Sequence, residues 1–409
     1  MKEAIFLEKV ILQNYKSIKF CSVQLGPLTF LVGRNGAGKS NFLDALRLTS
    51  ESLNTSLDHA LRERGGINEV RRRSTGHPTH FGIRLEFQLA GDSDGVGYYA
   101  FRVGAKPNGG YEVQEEKCAV LGKQWSRFEV ASGTLKDSSF KVGPSAAADR
   151  LYLVAASGLP EFRPVYDALS HMGFYNLNPD EIRDLQPSDT GEVLRRDGSN
   201  LASVLGAIAK ENKEARNRVI EFLSKVVPGV ENVTVHHVGK KETLEFRQRV
   251  GSNREPWRFL AENMSDGTLR ALGVLTALFQ SGASGAKRVP FVGIEEPEAA
   301  VHPGAAGVLR DGLQAASRTT QVAVTSHSPD LLDDKGITDD AILVVEKNRN
   351  GDTVIGPMDA AGKSAIRDHL YTAGELLKLD QLSPDSAFIK KTSQSHPDLF
   401  KEMEEEVLL

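Results

Sequence analysis

Eight residues from Gly33 to Ser40, GRNGAGKS, have the composition and spacing of a phosphate-binding loop. Its glycines let backbone N–H groups turn toward phosphate oxygens, Lys39 can reach the outer phosphates, and the Ser40 hydroxyl is a ligand for Mg²⁺. The apolar run 28–32 predicts a strand before the loop, and 41–48 predicts a helix after it, whose N-terminus favours anions. The sequence therefore predicts a nucleotide site that contains Gly33, Asn35, Gly36, Gly38, Lys39, Ser40 and Asn41, with Ser40 also a metal ligand.

A second group of candidate catalytic residues follows more than 250 residues later, in VGIEEPE at 292–298. Glu295 and Glu296 end an apolar run, and paired carboxylates at a strand end can bind Mg²⁺ and activate an attacking water. We expect Glu295 to bind the metal and Glu296 to be the general base. His327 ends the next predicted strand, where its imidazole could hydrogen-bond a phosphate, although a lone histidine is more often a surface or core residue.

The segment MSDGTLR, which begins at Met264, places Ser265 and Gly267 at the start of a predicted apolar helix. A serine and bare backbone at a helix N-terminus can form a second anion site. An ordinary capped helix is the alternative.

The remaining pattern predicts an α/β fold. Period-two runs near Phe81, Gly97 and Gly110 indicate an antiparallel meander, and the helix–strand–helix–strand order after Glu262 indicates a parallel sheet, although Pro290 is unusual near a central strand. Prolines and the lack of sustained heptads between 149 and 229 predict a helical insert without a long coiled coil. We expect a head formed by 1–148 plus 230–361, the insert 149–229, and a helical tail 362–409 that ends in an acidic run.

Composition restricts the function classes. The chain has 409 residues, 40% of them hydrophobic, with a net charge of −4 and a pI of about 6.2, so no global basic field marks it as a nucleic-acid binder. Two distant cysteines argue against a disulfide framework or a zinc site. No apolar stretch is long enough to span a membrane, and the N-terminus lacks the apolar core of a signal peptide, which favours the cytoplasm.

Five arginines, at 62, 64, 71, 72 and 73, lie in a glycine-containing segment, 61–74, that we expect to be a mobile loop. Three interpretations stay open for them: contact with DNA phosphates, contact with nucleotide, or a solvated face.

Five motifs occur in an order that is typical of one group of ATPases: NYKS at Asn14, GRNGAGKS at Gly33, MSDGTLR at Met264, IEEPEAAVHP at Ile294 and TSHSPDLL at Thr325. The chain resembles the ABC-type P-loop ATPase head of the RecF/SMC and OLD superfamily, specifically the compact ATPases called AAA-21 or AAA-15, of the anti-phage defence type. The resemblance implies a mixed sheet with flanking helices and an antiparallel β subdomain.

The resemblance also implies an ATP sandwich, in which two copies dimerise head to tail and each nucleotide contacts one P-loop and the opposite Ser265 and Gly267. Tyr15 would stack on adenine, or else belong to the core. The sequence departs from transporter motifs at Glu295, which replaces aspartate, and at His302. Gln88 has suitable spacing for a Q-loop residue but lies in a strand-like run.

Three functions are compared. The first is an ATPase that uses ATP and Mg²⁺, dimerises or forms a higher oligomer, and acts as a switch or sensor for a separately encoded effector such as a Toprim-like nuclease in anti-phage defence. The alternative is a RecF-like DNA-binding ATPase in recombination or repair. A transporter subunit is disfavoured because the signature lacks the LSGGQ form.

Overall fold

A computed structural model describes residues 6–74, 78–89, 95–122, 125–251, 255–280, 289–395 and 398–403. The chain divides into two compact units. Unit 1 contains Gly173–Thr338 and Asp368–Asp380, and unit 2 contains Ile5–Met172, Asp339–Arg367 and Gln381–Leu409. The domain boundaries expected from the sequence stay a prediction.

The strands of the described residues are β1 Leu7–Tyr15, β2 Ile18–Gln24, β3 Leu28–Val32, β4 His80–Leu89, β5 Gly95–Ala105, β6 Tyr111–Leu121, β7 Trp125–Ala131, β8 Thr134–Ser138, β9 Gly173–Tyr175, β10 Gln186–Pro187, β11 Val230–Val238, β12 Lys241–Gln248, β13 Trp257–Leu260, β14 Phe291–Glu295, β15 Gln321–Ser326, β16 Ile342–Lys347 and β17 Thr353–Pro357.

The helices are α1 Lys39–Asn54, α2 Leu57–Arg62, α3 Ile67–Val70, α4 Tyr152–Ala156, α5 Arg163–Ser170, α6 Pro179–Arg183, α7 Leu201–Glu211, α8 Lys213–Val226, α9 Asp266–Phe279, α10 Ala306–Ser317, α11 Pro329–Leu332, α12 Ala360–Arg367, α13 Ala373–Lys378 and α14 Ser386–Ser395. Within the described ranges the longest is α1, with 16 residues, so the expectation of no long coiled coil is confirmed.

Unit 2 is built on a mixed sheet with the strand order β8-β7-β6-β5-β4-β1-β2-β17-β16-β3. Strands β4 to β6 pair antiparallel, which confirms the predicted meander, and β7 and β8 extend it. At the other end β3 pairs parallel with β16, and α1 follows β3 through the glycine-rich loop. This succession of strand, loop and helix is the one that the sequence predicted.

Unit 1 contains the parallel strands β9, β14 and β15, and a smaller antiparallel sheet of β10 to β13. The predicted alternation from α9 to β15 is confirmed. Pro290 immediately precedes β14, and its carbonyl accepts the Gln321 N–H at 3.2 Å, so the proline removes no ladder donor from the strand. Residues 149–229 contain five helices and also β9 and β10, which the pattern did not predict.

The expectation of a mobile loop at 61–74 is wrong. The segment contains the end of α2 and all of α3, and most of its arginines are ion-paired within unit 2. The Arg64 side chain is 2% exposed and bonds Asp44 and Glu51. Glycine and arginine suggested solvent exposure, but carboxylates distant in sequence hold this segment in place. The predicted tail contains most of α12 and all of α13 and α14, and residues 404–409 of its acidic run lie outside the described residues.

Candidate functional site

The loop between β3 and α1 packs closely against other strands of unit 2. A Cβ atom at Gly33 would lie 2.0 Å from Val345 O, and one at Gly38 would lie 2.2 Å from Thr353 Oγ1. Gly36 and Gly38 have φ angles of 75° and 109°, which favour glycine. The loop therefore depends on its glycines for its conformation.

Lys39 is the first residue of α1 and is 5% exposed. Its Nζ donates to Gly33 O at 2.7 Å and to Arg34 O at 3.2 Å, so the loop's own carbonyls hold the ammonium group. The neighbouring Asn35 and Ser40 are exposed. The glycines of the loop carry no side chain that could block a ligand, Lys39 supplies a positioned cation, and Ser40 supplies an accessible hydroxyl. These residues therefore fit a nucleoside triphosphate with Mg²⁺.

A hydrogen-bonded chain of polar groups supports the loop from the turn between β1 and β2 and from β17. Asn41 Nδ2 donates to Ser17 Oγ at 2.7 Å, and Ser17 Oγ lies 2.7 Å from Thr353 Oγ1. Thr353 Oγ1 donates to Ala37 O at 2.7 Å, across 316 residues of sequence. Neither Ser17 nor Thr353 was predicted from the sequence. The NYKS motif contained a signal for Ser17, whereas no local pattern identifies Thr353.

Tyr15 belongs to the core, and its assignment to adenine is corrected. Its side chain is 0% exposed, its ring meets Phe81 edge-on at 5.7 Å, and its hydroxyl donates to Asp44 Oδ2 at 2.8 Å. Burial raises the pKa of Asp44, but cations led by Arg64 and Lys16 outweigh burial and hold that pKa well below its usual range. The aromatic ring is enclosed, so it presents no face for stacking.

In unit 1, the end of the acidic strand β14 is fixed by an arginine from α9. Glu296 has φ of 44°, unusual for a non-glycine residue, and its N–H donates to Thr325 O at 3.0 Å. Arg270 Nη2 donates to the carbonyls of Glu295 and Glu296 at 3.4 and 3.3 Å, and its Nη1 donates to Leu177 O at 2.9 Å. Burial lowers the pKa of Arg270, although the nearby glutamates oppose this.

The structure brings Glu296 and His327 together. Glu296 Oε1 lies 3.1 Å from His327 Nδ1, and the side chains are 38% and 41% exposed, so water reaches both. They follow neighbouring parallel strands, whose carboxyl ends share one edge. Glu295, the expected metal ligand, bonds Arg196 Nη2 through Oε1 at 2.9 Å.

Glu298 is a third carboxylate at this edge, and the sequence analysis assigned it no role. Its Oε1 accepts the Ser326 hydroxyl at 2.6 Å and the His327 N–H at 3.4 Å. Its Oε2 is buried with no hydrogen-bond partner among the described residues. The carboxylate therefore holds the turn that carries His327. Its position after Glu-Glu-Pro was the available signal, but the contact to β15 is not visible in local sequence.

Ser265 and Gly267 have structural roles at the start of α9. Ser265 is the N-cap, and its Oγ accepts the Thr268 N–H at 3.2 Å. A Cβ atom at Gly267 would lie 2.4 Å from Ala300 O, so the backbone after the acidic strand packs directly on this turn. The ordinary-cap alternative explains the Ser265 contact, and the anion-binding role of both residues stays a prediction.

Two residues that were compared with transporter motifs have local partners. Gln88 is exposed on β4 and its amide donates to Glu8. His302 is also exposed, and its Nδ1 accepts the Gly304 N–H at 3.0 Å.

The chain matches the model of one known protein family. The AAA_21 family model, described as "AAA domain, putative AbiEii toxin, Type IV TA system", matches residues 28–333, about three quarters of the sequence. The match begins at β3 and includes the glycine-rich loop, the start of α9, the acidic strand and His327.

The chain belongs to the AAA_21 family. The AAA_21 part of the predicted resemblance is therefore confirmed. A search of curated proteins found no match.

Solved structures show which fold this AAA_21 protein has. It is similar to "Crystal structure of the SmcHead bound to the C-winged helix domain of ScpA", with a TM-score of 0.56 and 15% identity over 87% of this chain and 99% of that one. A second similar structure is "Crystal structure of the Smc head domain with an extended coiled coil bound to the C-terminal domain of ScpA derived from Pyrococcus furiosus", with a TM-score of 0.54 and 12% identity over 90% and 99%. The predicted fold, an ABC-type head with a mixed sheet and flanking helices, is confirmed.

Three further observations concern the helices and side chains of the AAA_21 chain. No helix in the described ranges is both long and apolar enough to cross a membrane. The part of the chain that the structure describes also contains no group of three or more His, Cys, Asp or Glu side chains that could hold a metal ion. Cys21 and Cys118 are both buried and are not joined by a disulfide.

Proposed function

We propose that this AAA_21 protein binds ATP with Mg²⁺ and hydrolyses it to ADP and phosphate. The family and the fold support an ATPase. The observation that carries the proposal is the glycine-dependent loop that holds the Lys39 ammonium 2.7 Å from Gly33 O, since a lysine at this position of a phosphate-binding loop contacts the outer phosphates. When bound, Mg²⁺ neutralises phosphate charge, and Ser40 is the residue of this loop that would hold it.

Glu296 is our candidate for the general base. Its backbone is fixed by Thr325 and Arg270, while its carboxylate is accessible to water and lies 3.1 Å from His327 Nδ1. A carboxylate held in this way can take a proton from the attacking water at Oε1 or Oε2. The imidazole of His327 orients that carboxylate through its Nδ1.

Phosphate release by the wild-type chain and two variants tests this proposal. We expect Glu296→Gln to reduce the rate at least about 100-fold, because general-base catalysis contributes about that much or more. Glu221→Gln is the matched control, since Glu221 lies on α8 and its carboxylate bonds the Lys225 ammonium at 2.7 Å. Parental turnover in Glu296→Gln would exclude it as the base, and a wild-type chain that binds ATP but releases no phosphate would refute hydrolysis.

The second part of the proposal is an ATP-dependent homodimer that acts as a switch for a separately encoded effector. Ser265 is exposed at the start of α9, where it is available to the nucleotide of a second copy. Both similar Smc head structures contain a bound ScpA domain, which supports control of a separate protein. The family's description as a putative toxin of a Type IV toxin–antitoxin system supports a role in defence, by analogy.

A second candidate function is RecF-like DNA binding, which a basic cleft in unit 2 favours. The cleft has a volume of about 1070 Å³, and its charged residues are five basic and two acidic: Lys16, Lys19, Arg71, Arg72, Arg73, Glu69 and Asp352. Duplex DNA binding that weakens with salt, and weakens further in Lys19→Ala, would support this function. No binding with ATP at low ionic strength would refute it.

A further inference from the structure

A short segment of the chain, Asp398–Met403, lies against the β-sheet of unit 2 like a bound peptide. It is neither helix nor strand, yet Leu399 is 2% exposed and Phe400 is 4% exposed. The two side chains pack among residues of the sheet that include Ile11, Tyr98 and Ala119. The segment is therefore held by its side chains and by single polar contacts rather than by a strand ladder.

The shape of the segment is set by its own first residue. Asp398 Oδ1 accepts the Phe400 N–H at 3.1 Å, and Asp398 O accepts the Lys401 N–H at 3.2 Å. Aspartate commonly stabilises such a turn by bonding the backbone two residues on. A peptide with this sequence thus carries its own tendency toward the bound conformation, which lowers the entropic cost of docking.

A buried arginine of the sheet recognises the backbone of the segment. Arg84 Nη1 donates to Leu399 O at 2.9 Å and to Lys401 O at 2.6 Å. Two neighbours position the Arg84 guanidinium. Arg84 Nε donates to Glu86 Oε1 at 2.9 Å, and Arg84 Cζ lies 3.9 Å from the centre of the Tyr98 ring. Without the segment, the Arg84 guanidinium would lose both of these carbonyl acceptors.

Two further contacts select the side chains. A Cβ atom at Gly82 would lie 2.3 Å from Leu399 Cδ1, so the glycine forms a notch for leucine. The Phe400 ring faces the Arg102 guanidinium at 4.9 Å. At the edge, Arg127 Nη1 lies 3.5 Å from Glu402. These contacts favour a Leu-Phe pair that is preceded by aspartate and has an acidic residue two positions after the phenylalanine.

We propose that this face is an exchangeable peptide-docking site that recognises an Asp-Leu-Phe segment, occupied here by the chain's own Asp398–Met403 and open to the same segment of a second copy. All of the recognition described lies within six consecutive residues, so the segment carries its binding information with it. Other peptide-recognition surfaces obtain affinity from backbone hydrogen bonds and specificity from side-chain pockets.

Fluorescence anisotropy with a labelled peptide, Asp-Leu-Phe-Lys-Glu-Met, tests the site in the full chain. The Leu399→Ala/Phe400→Ala variant vacates the site, and we expect saturable binding at least about tenfold tighter than to the wild type, whose own segment competes. A control peptide with Ala-Ala in place of Leu-Phe should bind at least about tenfold more weakly. Equal binding of both peptides, or no saturable binding to the variant, would overturn the proposal. If the double variant is unfolded by circular dichroism, the single Phe400→Ala variant replaces it, with the same ranking expected.

Complementary variants test exchange between copies. Gly82→Val fills the notch but leaves the sequence of Asp398–Met403 unchanged. The sheet itself tolerates the new side chain, because the backbone atom nearest to its Cβ lies at an ordinary 3.5 Å. Mixed without nucleotide, this variant and Leu399→Ala/Phe400→Ala should associate in sedimentation experiments, whereas neither should self-associate through the site. A mixture that sediments as its separate components would exclude the second copy as an occupant.

Discussion

Glu116, on β6, is a carboxylate enclosed within unit 2, and we predict that its titration makes folding stability depend on pH. Its side chain is 0% exposed. Oε1 accepts the Tyr99 hydroxyl at 2.9 Å and the Leu153 N–H at 2.8 Å, and Oε2 accepts the Tyr152 N–H at 2.5 Å. Burial raises the pKa of Glu116 to about 7, because the three donors only partly offset the loss of hydration.

The direction and size of the pH effect on stability follow from the pKa of Glu116 in the folded and unfolded states. An unfolded glutamate titrates near pH ~4.3, so the folded state binds more protons than the unfolded state up to about pH 7. The contribution to stability is therefore fully present below the unfolded pKa and is lost as pH rises through the folded pKa. Between pH 5 and 7, two units at about 1.4 kcal/mol each give a loss of about 3 kcal/mol.

Urea unfolding of the wild type and Glu116→Gln at pH 5 and pH 8 measures this effect. Glutamine cannot ionise, so the stability difference between wild type and variant should shift by about 3 kcal/mol toward the variant at pH 8. At pH 5 the variant should be less stable by about 1 to 3 kcal/mol, because one amide oxygen cannot accept all three donors. Glu161→Gln, at an exposed position, is the control. A difference that stays constant within about 1 kcal/mol would refute the reasoning.

Three other substitutions test the geometry of the two units. Lys39→Ala should weaken ATP binding at least about 100-fold in a fluorescent-nucleotide titration, because it removes the charge positioned on the loop, and unchanged affinity would contradict the phosphate-loop assignment. Gly267→Ala should lower the free energy of unfolding by about 1 to 3 kcal/mol, since the new Cβ would meet Ala300 O at 2.4 Å, and an unchanged urea midpoint would exclude that contact. Arg270→Met should cost about 2 to 4 kcal/mol in the same assay because it leaves the Leu177 and strand-end carbonyls without their donor, whereas wild-type stability would mean that water replaces the arginine.

The parts of the fold that the sequence predicts are those with local signals. One short stretch of sequence contains three such signals: the apolar run of β3, the glycines from 33 to 38, and the amphipathic start of α1. The alternation from α9 to β15 is similarly local, which is why the acidic strand end and His327 were identified together.

Long-range contacts explain what the sequence did not predict. Thr353 supports the loop across 316 residues, and Arg64 is held by Asp44 rather than by solvent or nucleic acid. Tyr15 carries a polar hydroxyl suited to a ligand, but that hydroxyl reaches Asp44 from inside the core. Glu298 acts on the next strand, through Ser326. In each case the partner is set by packing, which a local pattern does not contain.

The mass of the Glu296→Gln variant with and without ATP, measured by light scattering, tests the central claim most directly. If the chain is an ATP-driven switch, this variant should bind ATP and shift from the 44.5 kDa of one chain to twice that mass. Ser265→Arg in the same background should restore the single-chain mass without loss of ATP binding, because it would obstruct the nucleotide of the second copy. A variant that binds ATP and keeps the mass of one chain would contradict the account.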